Sequence, residues 1–285
     1  MVTLKKIIIL IILFSNLFLF GNDFVLVKGG FFKMGDTFGD GDKDAKPVHL
    51  VYVKDFYISK YELSLGEFEE FVKNSNYQIE TGAYIFIDNI WEFKEDASYQ
   101  NPYFQQQKEY PVVAINFYDA INFCNWKSKN ENLEPCYTIK DKNVACDFNK
   151  NGYRLPTEAE WEMASRGGNS KPQYRYSGGN DLNEVGWYRN NSNYQTHKIG
   201  SKKPNYLGLY DMSGNVWEFC FDWYSPYKNI VYFNPTGSKT GDFKILRGGS
   251  FYDDCKHAVQ VSNRFSIKPT DRFYNVGVRV VRWKR

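Results

Sequence analysis

The chain has 285 residues, 42% hydrophobic and 24% charged, a balance that argues against disorder and suits a folded globular protein with one large core or two small ones. Its formal charge of +3 falls to +1 once the basic leader described next is set aside, leaving 34 basic against 33 acidic side chains and no electrostatic case for a nucleic-acid partner. Aromatic residues make up 18% of the chain, so flat rings under irregular loops are expected to supply much of the buried area.

Lys5 and Lys6 precede an apolar run, Ile7 to Phe20, interrupted only at Ser15 and Asn16 and followed by small Gly21. That order reads as a secretory signal over residues 1–21. The run is short for a membrane span, so residues 22–285 are expected to be exported to the periplasm or exterior, with no membrane span left after cleavage. An uncleaved N-terminal anchor is the alternative. No cysteine stands near Gly21 for lipid attachment.

Phe24 to Met34 alternates loosely around Gly29-Gly30, and Val48 to Ile58 alternates with period two, so both read as strands. The acidic loop between them carries Asp40, Asp42 and Asp44, but Ala45 and Val51 stand where a calcium loop needs Gly and Glu, which favours a solvated loop. Ser64-Leu65-Gly66-Glu67 is a capping box that opens a helix burying Phe68, Phe71 and Val72. The polar, aromatic-rich stretch from Tyr77 to Tyr110 reads as an insertion within the same domain. A helix starting near Asn116 is expected to bury Ala120, Phe123 and Cys124. Pro156 and the capping box Thr157 to Glu160 open a third helix, with Trp161 and Ala164 on its buried stripe. Beyond residue 167 no helical period is sustained, and Gly, Asn, Asp and Pro punctuate every few residues.

Five cysteines, Cys124, Cys136, Cys146, Cys220 and Cys255, follow the leader, and an odd number leaves at least one unpaired within a monomer. Cys136 and Cys146 flank a hairpin-like segment and are the expected disulfide, the alternative being two buried thiols.

Five strings stand in a fixed order: Val27 to Gly35, Pro111-Val112-Val113, Tyr153-Arg154-Leu155-Pro156-Thr157-Glu158-Ala159-Glu160-Trp161-Glu162, Gly208 to Glu218, and Leu246-Arg247-Gly248-Gly249-Ser250. In this the chain resembles the formylglycine-generating enzyme, or sulfatase-modifying factor, family. The resemblance implies a single loop-rich α+β domain of C-type-lectin-like fold over residues 22–285, low in regular secondary structure and often steadied by calcium. For the turn Gly214-Asn215-Val216-Trp217-Glu218 it implies calcium held by the Asn215 and Glu218 side chains and the Gly214 backbone, oxygen donors that suit that ion. The alternative is that Asn215 and Glu218 tie the turn by hydrogen bonds.

The catalytic members resemble one another in two cysteines, three and eight residues after the Ser of Gly-Gly-Ser, that bind copper(I). Counted from Ser250 those positions hold Asp253 and Ala258. Cys255 alone lies in the loop; Cys220 follows the Trp217-Glu218-Phe219 turn, and Ser250 matches a serine of the family's oxygen pocket. Two thiolates are what copper(I) prefers, so copper is not expected. Nor is iron, because His49, His197 and His257 lack the His-x3-His-x-Glu spacing of the family's iron branch.

Two readings follow. In the first, a non-catalytic scaffold at the cell envelope binds a protein, peptide or glycan through loops carrying Trp223, Tyr227, Phe251 and Tyr252. In the second, an oxidoreductase acts on a protein cysteine or small sulfur compound through Cys255, Cys220 and Ser250.

Overall fold

A computed structural model describes residues 23–169, 172–253 and 256–283; the leader and Cys255 lie outside the described residues. The chain runs β1 (Phe24–Val27), β2 (Gly30–Met34), β3 (His49–Val53), β4 (Phe56–Ser59), α1 (Leu65–Ser75), β5 (Ala83–Ile87), β6 (Ile90–Lys94), α2 (Phe117–Asn130), β7 (Tyr137–Lys140), β8 (Asn143–Cys146), β9 (Tyr153–Arg154) and α3 (Glu158–Ser165). It continues through α4 (Leu182–Val185), β10 (Trp217–Trp223), β11 (Tyr232–Phe233), β12 (Lys244–Arg247), β13 (Phe265–Ile267), β14 (Val276–Gly277) and β15 (Val281–Trp283). Two four-stranded sheets, ordered β1-β4-β15-β9 and β13-β12-β10-β14, form the frame, with a three-stranded sheet β11-β3-β2, the hairpins β5-β6 and β7-β8, the helices and long loops around them.

Each of the first two expected strands is really two. The first divides at Lys28-Gly29, so that β1 pairs with β4 while β2 pairs with β3. The second divides at Lys54-Asp55, and the Asp55 carboxylate accepts from the Gly29 N–H at 2.9 Å, tying the two breaks together. The acidic loop is largely exposed, as expected, with Asp40 paired to Arg175 and Asp42 accepting from Asn263 Nδ2 at 3.0 Å.

The capping boxes at Ser64 and Thr157 are both formed, and Asn116 with Asp119 makes a third. Helix α1 packs on α2 through the rings of Phe71 and Phe123, 5.8 Å apart edge to face. The insertion returns as the hairpin β5–β6, whose Tyr84 ring stacks on Phe273 at 4.8 Å, which makes it part of the same domain.

Helix α3 departs from the expected stripe, because all eight of its residues are buried. Its carboxylates are matched by arginines near and far: Glu160 by Arg154, Glu158 by Arg264, and Glu162 by Arg166 at the helix end and by Arg247. A buried carboxylate is tolerable only when paired in this way. Asp222 on β10 adds an outside cap, accepting from the Glu158 N–H at 3.0 Å. Burial, with Glu158 close by, pushes the Asp222 carboxyl up from 3.8 to about 7. A carboxyl whose pKa is raised on folding stabilises the fold below its unfolded pKa and loses that contribution as pH rises through the folded value. Between pH 4 and 7 the wild-type chain therefore loses, from this group, on the order of 4 kcal/mol that Asp222→Asn does not lose. Denaturant melts of both proteins across that window should lie close together near pH 4 and separate toward pH 7 as wild type falls behind, and parallel pH profiles would remove Asp222 as the cause.

The expected Cys136–Cys146 disulfide is not formed. In the β7–β8 register Cys146 faces Tyr137, so Cys136 is displaced by one position, and neighbouring residues of a strand point to opposite faces. The Cys136 thiol instead donates to the Gly152 carbonyl at 3.3 Å. Cys124, Cys136, Cys146 and Cys220 are all free thiols, and burial pushes each of them up, which makes them sluggish nucleophiles. Thiol titration in denaturant without reductant should count at least four; two or three would show a bridge formed in solution.

Candidate functional site

The turn that follows Gly208 is held from three sides. Asn215 N–H donates to the Trp187 carbonyl at 2.8 Å, Gly214 N–H to Gly248, and Trp217 N–H to Asn275. Phe251 N–H returns to the Asn215 carbonyl at 2.8 Å, so this turn and the Gly-Gly-Ser loop are stitched into one unit. Gly214 has φ +87°, and its Cα faces the Trp187 carbonyl so closely that a β-carbon would lie 2.1 Å from that oxygen.

Under the turn lies a buried charged cluster. Arg279 donates to Glu218 from Nε at 3.0 Å and Nη2 at 2.8 Å, and Trp161 Nε1 donates to the other Glu218 oxygen at 2.6 Å. Asn215 Oδ1 accepts from the His197 N–H at 2.9 Å, while its Nδ2 donates to Glu62 at 2.6 Å. Asp211 takes the Gly200 N–H on Oδ2 at 2.7 Å, and its Oδ1 is buried with no hydrogen-bond partner. Burial pushes the Asp211 carboxyl up to about 6. Burial and the neighbouring Asp211 and Glu218 carboxylates push Glu62 far above its ordinary range.

Three carboxylates around one guanidinium leave excess negative charge, and the orphaned Asp211 oxygen gives a hard cation a donor. Asp211 thus joins the calcium set read from the sequence as a further candidate. Asn215 ties the turn together, its amide oxygen accepting from the His197 N–H and its amide nitrogen donating to Glu62. Asp211 and Glu218 are the carboxylates that fit. Among the described residues no three His, Cys, Asp or Glu side chains gather as a metal cluster, so backbone carbonyls, Gly214 among them, would complete the shell. Bound calcium would neutralise the cluster and stiffen the turn. At a hundred times its Kd it should add about 2.7 kcal/mol of stability, a gain that Asp211→Asn forfeits; a thermal midpoint indifferent to calcium would refute the assignment.

The Gly-Gly-Ser loop closes on itself. The Asp253 carboxylate accepts from Ser250 N–H at 2.7 Å and from the Ser250 hydroxyl at 2.6 Å, and Asn275 Nδ2 donates to that hydroxyl at 3.0 Å. Ser250 is thus fully engaged and buried. Asp253 offers a hard carboxylate and Ala258 no donor, so these two positions do not fit copper(I). Cys220, on β10, is buried in the core. His197 lies flat on Trp187 with ring centroids 3.8 Å apart, and His49 packs against Tyr227 and Tyr232.

The four residues proposed to share a binding surface are not brought together. Phe251 is fully buried against Phe104 and Tyr274, because its backbone is stitched to Asn215 and its ring must point inward. Tyr227 stacks on the Arg264 guanidinium at 3.9 Å and donates to Glu158 at 3.1 Å. Trp223 covers Lys244. Tyr252 alone joins an open aromatic face, meeting Phe86 at 4.5 Å and Trp91 at 5.7 Å, with Arg189 over its ring. Trp91 is 42% exposed, and Phe93 and Tyr194 are each 55% exposed. The sequence reading missed Trp91 and Phe93; Ile90-Trp91-Glu92-Phe93 inside a polar insertion was the available signal.

Residues 19–284 match the sulfatase-modifying factor enzyme 1-like domain. The chain belongs to this family. Its relatives within the sulfatase-modifying factor family differ in what they do. It is 36% identical to "Chaperone protein LppX" of Paenibacillus barcinonensis over 92% of this chain and 90% of that one. It is 29% identical to the formylglycine-generating enzyme of Streptomyces coelicolor over 90% and 87%. It is 25% identical to "Inactive C-alpha-formylglycine-generating enzyme 2" of Bos taurus over 90% and 86%. Treponema denticola variable protein 1 has the same fold, with a TM-score of 0.75, 28% identity, and coverage of 92% and 95%. The family fold is therefore shared by proteins named as enzymes, as a chaperone and as an inactive paralogue.

Proposed function

We propose that this protein is a non-catalytic member of the sulfatase-modifying factor family, exported to the cell envelope, that holds an extended protein or peptide partner on the aromatic face around Trp91 and Tyr252. One observation carries the reading: where copper-binding members need a first thiolate, the Asp253 carboxylate instead locks Ser250 from two sides. A loop closed in that way is a structural part, and function follows the residues present at a site. Exposed rings rimmed by Arg189 and polar chain suit a polypeptide, whose backbone and apolar side chains both find partners there. The relative named as a chaperone supports the same class of partner.

The test sets two measurements side by side on residues 22–285. A thermally unfolding client protein should aggregate less in the presence of the wild-type chain, and Trp91→Ala with Tyr252→Ala should lose most of that protection without lowering the melting point. A thiol peptide supplied with copper and oxygen should be left unoxidised. Oxidation that depends on Cys255 would overturn the proposal and install the oxidoreductase in its place.

A further inference from the structure

A cavity of about 350 Å3 opens beside β12 and shares none of its lining with the Gly-Gly-Ser loop or the aromatic face. Its walls include the rings of Phe117, Phe148, Phe221 and Trp223, and its charged groups are Lys142, Lys239 and Lys244, with no carboxylate in the lining. Lys142 and Lys239 are exposed at its rim, whereas Lys244 is 2% exposed at its floor. The Lys244 ammonium lies 3.7 Å from the Trp223 ring centre and 4.3 Å and 4.8 Å from those of Phe117 and Phe221, and it donates to the Phe221 carbonyl at 2.7 Å.

We propose that this cavity binds a planar anionic carbonyl compound, an aromatic aldehyde or 2-oxo acid bearing a carboxylate or phosphate, and captures it as an imine on Lys244 Nζ. Aromatic walls take a flat π-system, and the two rim lysines supply the charge for its anion. A lysine buried among rings is the side chain such a ligand needs, because its amine is released from protonation far more readily than a surface lysine's. Burial brings Lys244 from 10.5 down to about 7, although Asp222 opposes the shift.

The step balances without an oxidant. The Nζ lone pair adds to the carbonyl carbon, and the C=O π pair moves to oxygen, which takes up a proton. The resulting carbinolamine then expels that oxygen as water as the nitrogen lone pair forms C=N. Amine and carbonyl give imine and water, and both hydrogens lost from nitrogen leave in the water.

Pyridoxal 5′-phosphate serves as the probe, followed by borohydride reduction and peptide mapping at pH 7.5. The peptide carrying Lys244 should be labelled at a probe concentration at least tenfold below that needed for exposed Lys33 or Lys54. Lys244→Arg, which keeps the charge in its cage but cannot form the imine, should lose that adduct and retain its melting point. Lys142→Ala with Lys239→Ala should raise the concentration required for labelling several-fold while Lys244 stays chemically intact. Labels spread over surface lysines with Lys244 unmodified would overturn the proposal, as would labelling of Lys244 that ignores the rim lysines.

Discussion

Arg279→Met should lower the unfolding free energy by about 3 to 5 kcal/mol, the usual consequence of removing one member of a buried ion pair. The side chain is fully buried and donates to Glu218 from two nitrogens, to the Ser59 carbonyl at 3.0 Å and to the Tyr210 carbonyl at 2.7 Å. It is the positive charge that Glu62, Asp211 and Glu218 share. Methionine fills much of the same volume, so the loss measures charge and hydrogen bonds more than a void. The deficit should shrink as pH falls, because carboxyls whose pKa is raised in the folded state regain their contribution below it. Urea unfolding at pH 7.5 and 5 gives both readings. A variant as stable as wild type at pH 7.5, or one whose deficit grows in acid, would show that the carboxylates are neutralised by something other than Arg279.

Gly214→Ala should cost about 3 kcal/mol and Gly208→Ala only about 1, although both glycines sit at positive φ in the same segment. At Gly208, with φ +79°, a new β-carbon meets nothing within 4 Å, so only backbone strain is charged. At Gly214 it meets the Trp187 oxygen at 2.1 Å and carbon at 2.8 Å, and backbone cannot step aside as a side chain would. The bond from Asn215 N–H to that same carbonyl would break with it, freeing the segment that carries Asp211 and Glu218. Thermal melts of the two variants beside wild type decide the point. Equal costs would mean that the approach of Trp187 relaxes freely.

The fold was legible through the family resemblance that the five motif strings carry, and the strings mark places where backbone meets backbone: a capped helix, a left-handed glycine, a loop stitched to a turn. Capping at Ser64 and Thr157 was legible for the same local reason. The two strand breaks were not, since Lys28-Gly29 and Lys54-Asp55 are set by a contact 26 residues apart in sequence. The polar core was equally hidden. Glu158, Glu160 and Glu162 look like the wet side of a helix until arginines from residues 154 to 264 arrive to meet them. At the turn, the family resemblance pointed to Asn215 and Glu218 as calcium ligands. Asp211 was overlooked because only the finished packing shows which oxygen is left without a hydrogen. Phe251 was misread for a similar reason: an aromatic in a loop gives no sign of which way its backbone will turn it.

The position of β15 has a consequence in time. It lies between β4 and β9, joining the first strands of the chain to the middle through residues 281–283. Without residues 281–283, β1 and β4 can pair with each other but β4 lacks its inner neighbour. Pairing over such separations is slow, and until it happens the strand carrying Phe56 and Ile58 offers an open edge. Losing residues 281–283 alone would therefore open the sheet between β4 and β9, as damaging to it as a cut through its centre.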